Sequence, residues 1–162
     1  MVGGFKDIYG GETTVARLWR WVIDLEKGTV SEEQLDDGAC DFPRINDKLI
    51  GLKAEYGYCM QLKTDVEDLT FGEHLFKYHL ESGKRTDHHL GTNVAGGEPV
   101  FASKPESSCE DEGWILSLVH ERDTRQSKLI IIDAQDFDQE PVAEILIPQR
   151  VPYGAHGSWI QD

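Results

Sequence analysis

Residues 76–83, FKYHLESG, carry the pattern that decides the fold class of this 162-residue chain. Phe76, Tyr78 and Leu80 alternate with other residues. Because successive side chains of a β-strand point to opposite faces, the alternation predicts a strand with one apolar face. The residues ESG at 81–83 then predict a turn. The stretch therefore indicates a strand followed by the turn of a hairpin.

The same pattern recurs twice at a nearly constant distance. Residues 21–28, WVIDLEKG, align with FKYHLESG at an offset of 55 residues, and a weaker copy, LIIIDAQD at 129–136, places Ile130 at an offset of 54 from Phe76. A repeated strand–turn–strand unit is typical of stacked sheets or propeller blades, because each blade buries its face only against its neighbours. The alternative is chance similarity, since short strings of this kind are common in β-proteins. We favour the repeat.

Four further stretches have the composition of strands and are separated by clusters of turn-forming residues such as EDEG and QDFDQEP. They are YGYCMQL (56–62), PVFAS (99–103), GWILSLVHE (113–121) and VAEILI (142–147). No stretch shows a helical period of useful length. The sequence therefore predicts an all-β fold, with residues 1–17 expected to be irregular.

The charge of the chain argues against two classes of partner. Acidic residues outnumber basic ones by 30 to 16, which gives a net charge of −14. Such a chain repels phosphate backbones and anionic lipids, so we expect no nucleic-acid partner and no anionic membrane. No apolar run approaches the roughly 20 residues of a transmembrane segment, and the first residues lack the features of an export signal. With three cysteines and no CxxC pair, reduced thiols and a cytoplasmic location are expected.

The six histidines are the candidate metal ligands, because neutral imidazole binds zinc, copper, iron and nickel. Five of them show no ligand spacing; the adjacent His88 and His89, for example, point to opposite faces of a strand. Surface or structural roles are expected for these five, which are His74, His79, His88, His89 and His120.

His156 differs from the others in its neighbours. It lies between Gly154 and Gly157, and glycine permits a positive φ or a close approach of the backbone. Pro152 stiffens the same segment. A structural loop is the alternative interpretation, because one imidazole alone does not hold a metal.

Two carboxylates lie in similarly constrained segments. Asp41 precedes Phe-Pro in CDFPRIN, and Glu98 stands between a glycine pair and a proline in GGEPVF. Solvated loop acids are the plain interpretation. The functional interpretation is that they accept hydrogen bonds from ligand imidazoles and so fix the tautomer and direction of each ring. The sequence identifies no substrate-binding residue.

Five motifs, taken in order, resemble the carotenoid cleavage oxygenase family, which includes carotenoid, apocarotenoid and stilbene dioxygenases and the isomerase of the retinal pigment epithelium. They are DFPRIN (41–46), GEPVFASKP (97–105), EDEGWILSLV (110–119), LIIIDAQDF (129–137) and PQRVPYGAHGSW (148–159). The likeness extends from about Leu18 to the end of the chain. It implies a seven-bladed β-propeller whose axis carries Fe(II) held by four histidines, with carboxylates hydrogen-bonded behind some of them.

The resemblance also assigns residues. His156 matches the last of the four iron ligands, and Asp41 and Glu98 match two of the carboxylates. Residues 1–162 are then expected to be the C-terminal part of the propeller domain, about three blades, with the other ligands upstream of Met1. The sequence departs from the family at one of these positions, since glutamate is usual at 41, and also beside the histidine, where an aromatic residue is common in place of Ala155.

The function implied by the resemblance is oxidative cleavage of a conjugated C=C bond in a carotenoid, apocarotenoid or stilbene, with O2 as the second substrate. The chain alone is expected to be inactive. The alternative is a non-catalytic β module that binds an apolar ligand or completes the propeller of another chain. An isomerase parent is a third interpretation, because the family contains both activities. Exposed strand edges predict self-association in every case.

Overall fold

The computed structural model describes residues 15–64, 70–154 and 156–160. Its regular structure is ten strands: β1 (Arg17–Asp24), β2 (Thr29–Arg44), β3 (Tyr56–Lys63), β4 (Thr70–His79), β5 (Lys84–His89), β6 (Val94–Ala95), β7 (Val100–Ser103), β8 (Gly113–Glu121), β9 (Gln126–Asp133) and β10 (Ala143–Ile147). The only helical segment in this part of the chain is a 3-10 turn, Asp47–Leu49, and no helix there has the length and apolar character to cross a membrane. The all-β prediction is confirmed. Residues 1–14 of the segment expected to be irregular lie outside the described residues.

The strands form two antiparallel sheets. The first has the order β1-β2-β3-β4-β5, and the second has the order β10-β9-β8-β6, with β7 also paired to β8. Strand β2 is long enough to serve two neighbours, because its first half pairs with β1 and its second half, from Cys40 to Arg44, pairs with β3. The groups β2 to β5 and β6 to β10 are each a four-stranded antiparallel meander, counting β6 and β7 as one interrupted strand. This is the architecture of propeller blades.

The three copies of the sequence repeat coincide with three hairpins, β1–β2, β4–β5 and β9–β10. Gly28 and Gly83 close the first two with φ of +62° and +69°, a conformation that glycine adopts without steric cost. The third connection is longer and inserts Phe137, which is 2% exposed, into the core. The blade prediction is confirmed: two units are complete, and the β1–β2 hairpin supplies part of a third.

The main core lies between the two sheets. Met60 and Leu75 from the first sheet and Ile115 and Ile132 from the second are completely buried in it. The opposite face of the first sheet carries a second, smaller cluster formed by Cys40, Cys59, Phe76 and Tyr78. The part of the first sheet formed by β3 and β4 thus buries side chains on both of its faces, as an internal blade does.

The β1–β2 hairpin, in contrast, exposes apolar side chains. Trp21, Ile23 and Val30 are 68%, 63% and 66% exposed, and Ile23 lies directly opposite Val30. The alternation of the sequence places Trp21 and Ile23 on one face, but no second sheet in the described part of the chain packs on it. Contiguous exposed apolar surface of this kind is typical of a face that another element covers.

Candidate metal site

The C-terminal segment, residues 151–160, has no strand among its described residues, yet it is fastened at two points. Val151 donates its backbone N–H to Ser127 Oγ at 3.0 Å. Gly157 donates its backbone N–H to Glu98 Oε2 at 2.5 Å. A chain end frays unless such contacts hold it. The two attachments lie on either side of the histidine in this segment and fix its position.

Glu98 is the residue that orients His156. Its Oε1 lies 3.1 Å from His156 Nδ1, and its side chain is 9% exposed whereas that of the histidine is 74% exposed. Because a carboxylate only accepts hydrogen bonds, the contact places a proton on Nδ1 and leaves the lone pair of a neutral ring on Nε2. Among the described residues nothing hydrogen-bonds to Nε2. The ring therefore offers one open nitrogen of defined tautomer.

The loop between β6 and β7 holds Glu98 in place. A Cβ on Gly97 would lie 2.3 Å from the Leu118 carbonyl oxygen, so only glycine fits there. The Gly97 carbonyl accepts a hydrogen bond from Ser117 Oγ at 3.0 Å, and Pro99 is completely buried. This rigid backbone fixes the point from which the Glu98 side chain extends.

Arg44 completes the site and was not anticipated from the sequence. Its Nη1 donates to Glu98 Oε1 at 3.2 Å and to the Gly157 carbonyl at 2.8 Å, while its Nη2 contacts the Asp47 carboxylate at 3.2 and 3.3 Å. The planar guanidinium presents several donors in fixed directions and so suits such bridging. Arg44 compensates the charge of the nearly buried Glu98 and ties the C-terminal segment to β2.

Replacing Arg44 by methionine should release the C-terminal segment. The variant keeps the aliphatic stem but loses hydrogen bonds from a charged donor, each worth about 1.5–3 kcal/mol. A loss of about 1.4 kcal/mol raises the population in which the C-terminal segment is detached about tenfold. Because slow proteolysis follows the population of the open form, trypsin should cut after the exposed Arg150 about tenfold faster than in the parent. Lys48→Met, which removes a basic side chain that is exposed and has no ion pair among the described residues, is the matched control. Equal rates in the two variants would contradict this role.

Phe42 forms an aromatic wall beside His156, with ring centroids 5.4 Å apart and an interplanar angle of 69°. Its φ of +54° lies in the left-handed region, which bulky residues rarely occupy. The strain coincides with a bulge in β2 between Asp41 and Arg44, and Asp41 Oδ1 accepts from the Phe42 N–H at 2.7 Å. Bulges and strained residues are common beside functional sites, where they re-aim side chains.

Asp41 does not meet His156 among the described residues. It lines a separate cleft of about 250 Å³, together with Trp19, Cys40 and Cys59. Its Oδ2 has no hydrogen-bond partner in the described part of the chain. The structure therefore brings together His156 and Glu98 and places the third predicted residue at another opening.

A larger cleft of about 420 Å³ reaches His156 and Glu98. Its walls come from β4, from β6 to β9 and from the C-terminal segment. The apolar side chains among them include Phe71, Leu116, Leu118, Leu129, Val151, Tyr153 and Trp159. The open nitrogen of the histidine thus lies beside a predominantly apolar space.

Gly154 and Gly157 do not act as the sequence suggested. Neither has a positive φ. A Cβ on Gly154 would meet nothing described within 4 Å, and one on Gly157 would lie 3.8 Å from Glu98 Oε2. Among the described residues neither position shows a steric need for glycine, and Gly157 contributes through its backbone N–H and C=O.

Of the other histidines, His120 lines the same cleft as His156, with its Nδ1 3.3 Å from Ser127 Oγ, whereas His74, His79, His88 and His89 are not among the lining residues. His88 is 4% exposed, its Nδ1 is 2.9 Å from the Phe137 carbonyl, and burial lowers its pKa. His79 Nε2 lies 3.0 Å from Glu55 Oε1. Among residues 15–64, 70–154 and 156–160, no group of three or more histidines, cysteines or acids has the geometry to hold a metal ion. Within the described chain His156 is therefore not surrounded by a complete set of metal ligands.

Comparison with known proteins identifies the family. The family model described as retinal pigment epithelial membrane protein (RPE65) matches residues 4–161. The chain belongs to the carotenoid cleavage oxygenase family. The apocarotenoid-15,15'-oxygenase of Synechocystis is 30% identical over 159 residues, which are 98% of this chain and 32% of that protein. The carotenoid cleavage oxygenase of Mycobacterium tuberculosis is 33% identical over 153 residues, covering 93% of this chain and 30% of the relative.

Solved structures of the carotenoid cleavage oxygenase family share the fold. The crystal structure of an ACO/RPE65 chimera superposes with a TM-score of 0.82 at 30% identity, covering 90% of this chain and 30% of that one. The crystal structure of a cobalt-substituted Synechocystis apocarotenoid oxygenase (ACO) superposes with a TM-score of 0.82 at 32% identity and with the same coverage. The chain thus spans about a third of the length of the relatives it matches. Both the family and the propeller-blade fold inferred from the motifs are confirmed.

Proposed function

We propose that this chain is the C-terminal part of an Fe(II)-dependent oxygenase that cleaves a conjugated C=C bond of a carotenoid, apocarotenoid or stilbene. The observation that carries the proposal is the 3.1 Å contact between His156 Nδ1 and Glu98 Oε1. A carboxylate behind Nδ1 is the usual partner of a metal-binding histidine, because it fixes the ring and raises its basicity. Family membership supports the oxygenase class, and this contact supports the ligand.

The residues present fit one imidazole ligand of such a centre. His156 Nε2 is open and its ring is supported on the other side, so it can bind Fe(II) as a neutral ligand. The remaining ligands would come from polypeptide outside the described residues. When bound, iron with open coordination positions would supply the reaction with dioxygen. We propose that Asp41, whose Oδ2 is free beside its own cleft, supports a second ligand imidazole in the same way.

The apolar cleft beside His156 supports the substrate class. A polyene or stilbene is long, apolar and rigid, and its binding is favoured by walls of leucine and aromatic side chains. Such walls come from Leu116, Leu118 and Tyr153. In this proposal they hold the conjugated chain and exclude water, and Glu98 and Arg44 hold the histidine at one end.

The exposed β1–β2 hairpin supports the view that the active form is a larger propeller. Trp21 and Ile23 lie on a face that a neighbouring blade would cover, and further strands of the same blade would pair with the free edge of β1. Without them, the apolar face and the free edge of β1 favour self-association. We expect the chain alone to be inactive, because one imidazole holds a metal weakly.

Iron analysis and turnover test the proposal when the 162-residue chain is compared with the longest form that its gene encodes. After loading with Fe(II) and dialysis, the longest form should retain about one equivalent and the chain far less, because affinity depends on the complete ligand set. With 18O2 and an apocarotenoid, the longest form should release two carbonyl products that carry the label. An isomerised, uncleaved polyene would overturn the dioxygenase assignment, and cleavage by an iron-free enzyme would overturn the cofactor.

A further inference from the structure

His74 and His89 lie directly opposite each other on β4 and β5. The neighbouring pair is hydrogen-bonded, because Leu90 donates its N–H to the Glu73 carbonyl at 2.8 Å. The two histidines therefore occupy a non-hydrogen-bonded position, where facing side chains of an antiparallel sheet approach most closely. Their ring centroids are 4.8 Å apart, with 54° between the ring planes.

The pair contains a buried nitrogen that nothing satisfies. His74 Nδ1 is shielded from solvent and has no hydrogen-bond partner among the described residues. Buried polar atoms are nearly always paired, and an exception calls for an explanation such as a missing ion. His89 is exposed, so the pair is accessible to an ion from solution.

The electrostatic surroundings favour neutral imidazole at His74. Burial, followed by the neighbouring His89, lowers the pKa of His74, and neutral imidazole is the form that binds metals. Asp87 and Glu73 add negative potential at the pair, which attracts a cation. Their carboxylates are already engaged, Asp87 by Arg85 at 2.7 and 3.1 Å and Glu73 by Lys63 at 3.0 Å, so neither is assigned as a ligand.

We propose that His74 and His89 form a two-histidine site for a divalent transition metal ion of the copper, nickel or zinc type, with water completing its coordination. Imidazole ligands follow the order in which Cu²⁺ binds most tightly and Fe²⁺ weakly. The two-histidine site therefore prefers a different metal ion from the proposed iron centre at His156, and the proposal does not depend on that centre. It also differs in place, since neither histidine lines the cleft at His156.

Titration of the 162-residue chain with Cu²⁺, Ni²⁺ and Zn²⁺ tests this site. A His156→Ala background removes the ligand of the proposed iron centre. We expect one saturable site, tightest for Cu²⁺. His89→Ala or His74→Ala should weaken its affinity by at least about tenfold, which corresponds to about 1.4 kcal/mol. Because His89 is exposed, its replacement should leave the circular dichroism spectrum unchanged.

His79→Ala is the matched control, since His79 lies at the end of β4 and contacts Glu55 instead. It should bind these ions as tightly as the His156→Ala parent. Unchanged affinity in His89→Ala, or no saturable binding in the parent, would overturn the proposal.

Discussion

Replacing His156 by alanine in the longest form that the gene encodes is expected to abolish both iron retention and turnover. The substitution removes an open Nε2 that Glu98 holds in the metal-binding tautomer. In the 162-residue chain the side chain is 74% exposed, so the substitution should change the stability of that chain little, because surface substitutions usually change stability by less than about 0.5 kcal/mol. Iron content by plasma emission and product formation by chromatography measure the two effects.

His79→Ala controls for the loss of an imidazole elsewhere, since His79 lines neither cleft. It should keep the iron and the activity of the parent. An active, iron-loaded His156→Ala protein would mean that this ring is not a ligand, and the function would then rest on family membership alone.

Glu98→Gln is expected to lower iron affinity by about 10–100-fold, the range found when the hydrogen-bond partner of a ligand is lost. The change is nearly isosteric, but the amide accepts through one oxygen where the carboxylate uses two. One of those oxygens serves His156 and Arg44, and the other serves Gly157. The substitution leaves Arg44 with Asp47 as its one remaining carboxylate partner among the described residues, and it loosens the ring. Competition with a calibrated chelator measures the affinity.

Asp47→Asn provides the matched control, because it makes the same chemical change at the other carboxylate that contacts Arg44. Asp47 is 42% exposed, and exposed ion pairs contribute about 0–1 kcal/mol. Its effect on iron affinity should be less than about fivefold on that basis. If both substitutions had the same effect, Glu98 would act through general charge and not by orienting His156.

The strands were predictable because the information for them is local. The alternation of apolar and polar residues within β3 and β8 is enough to predict these strands. The two tight turns are predicted in the same local way by Gly28 and Gly83. The continuous length of β2 was not predictable in this way. Its two halves pair with different neighbours, and its middle reads as a polar, acidic segment.

The site was less predictable because its contacts are long-range. Arg44 meets Glu98 and Gly157 across 54 and 113 residues of chain, and nothing near Arg44 in sequence signals these partners. The pairing of His156 with Glu98 spans 58 residues; the sequence singled out both residues but did not pair them. The left-handed Phe42 is likewise set by a bulge that single-sequence alternation does not reveal.

The most direct measurement is a crystal structure of the longest form loaded with Fe(II), with anomalous differences recorded at the iron absorption edge. If His156 is an iron ligand oriented by Glu98, the anomalous peak should lie about 2.1 Å from Nε2, a typical metal–imidazole distance, with Nδ1 still hydrogen-bonded to Glu98. A fully occupied iron peak elsewhere, with the His156 ring free of metal, would contradict the account.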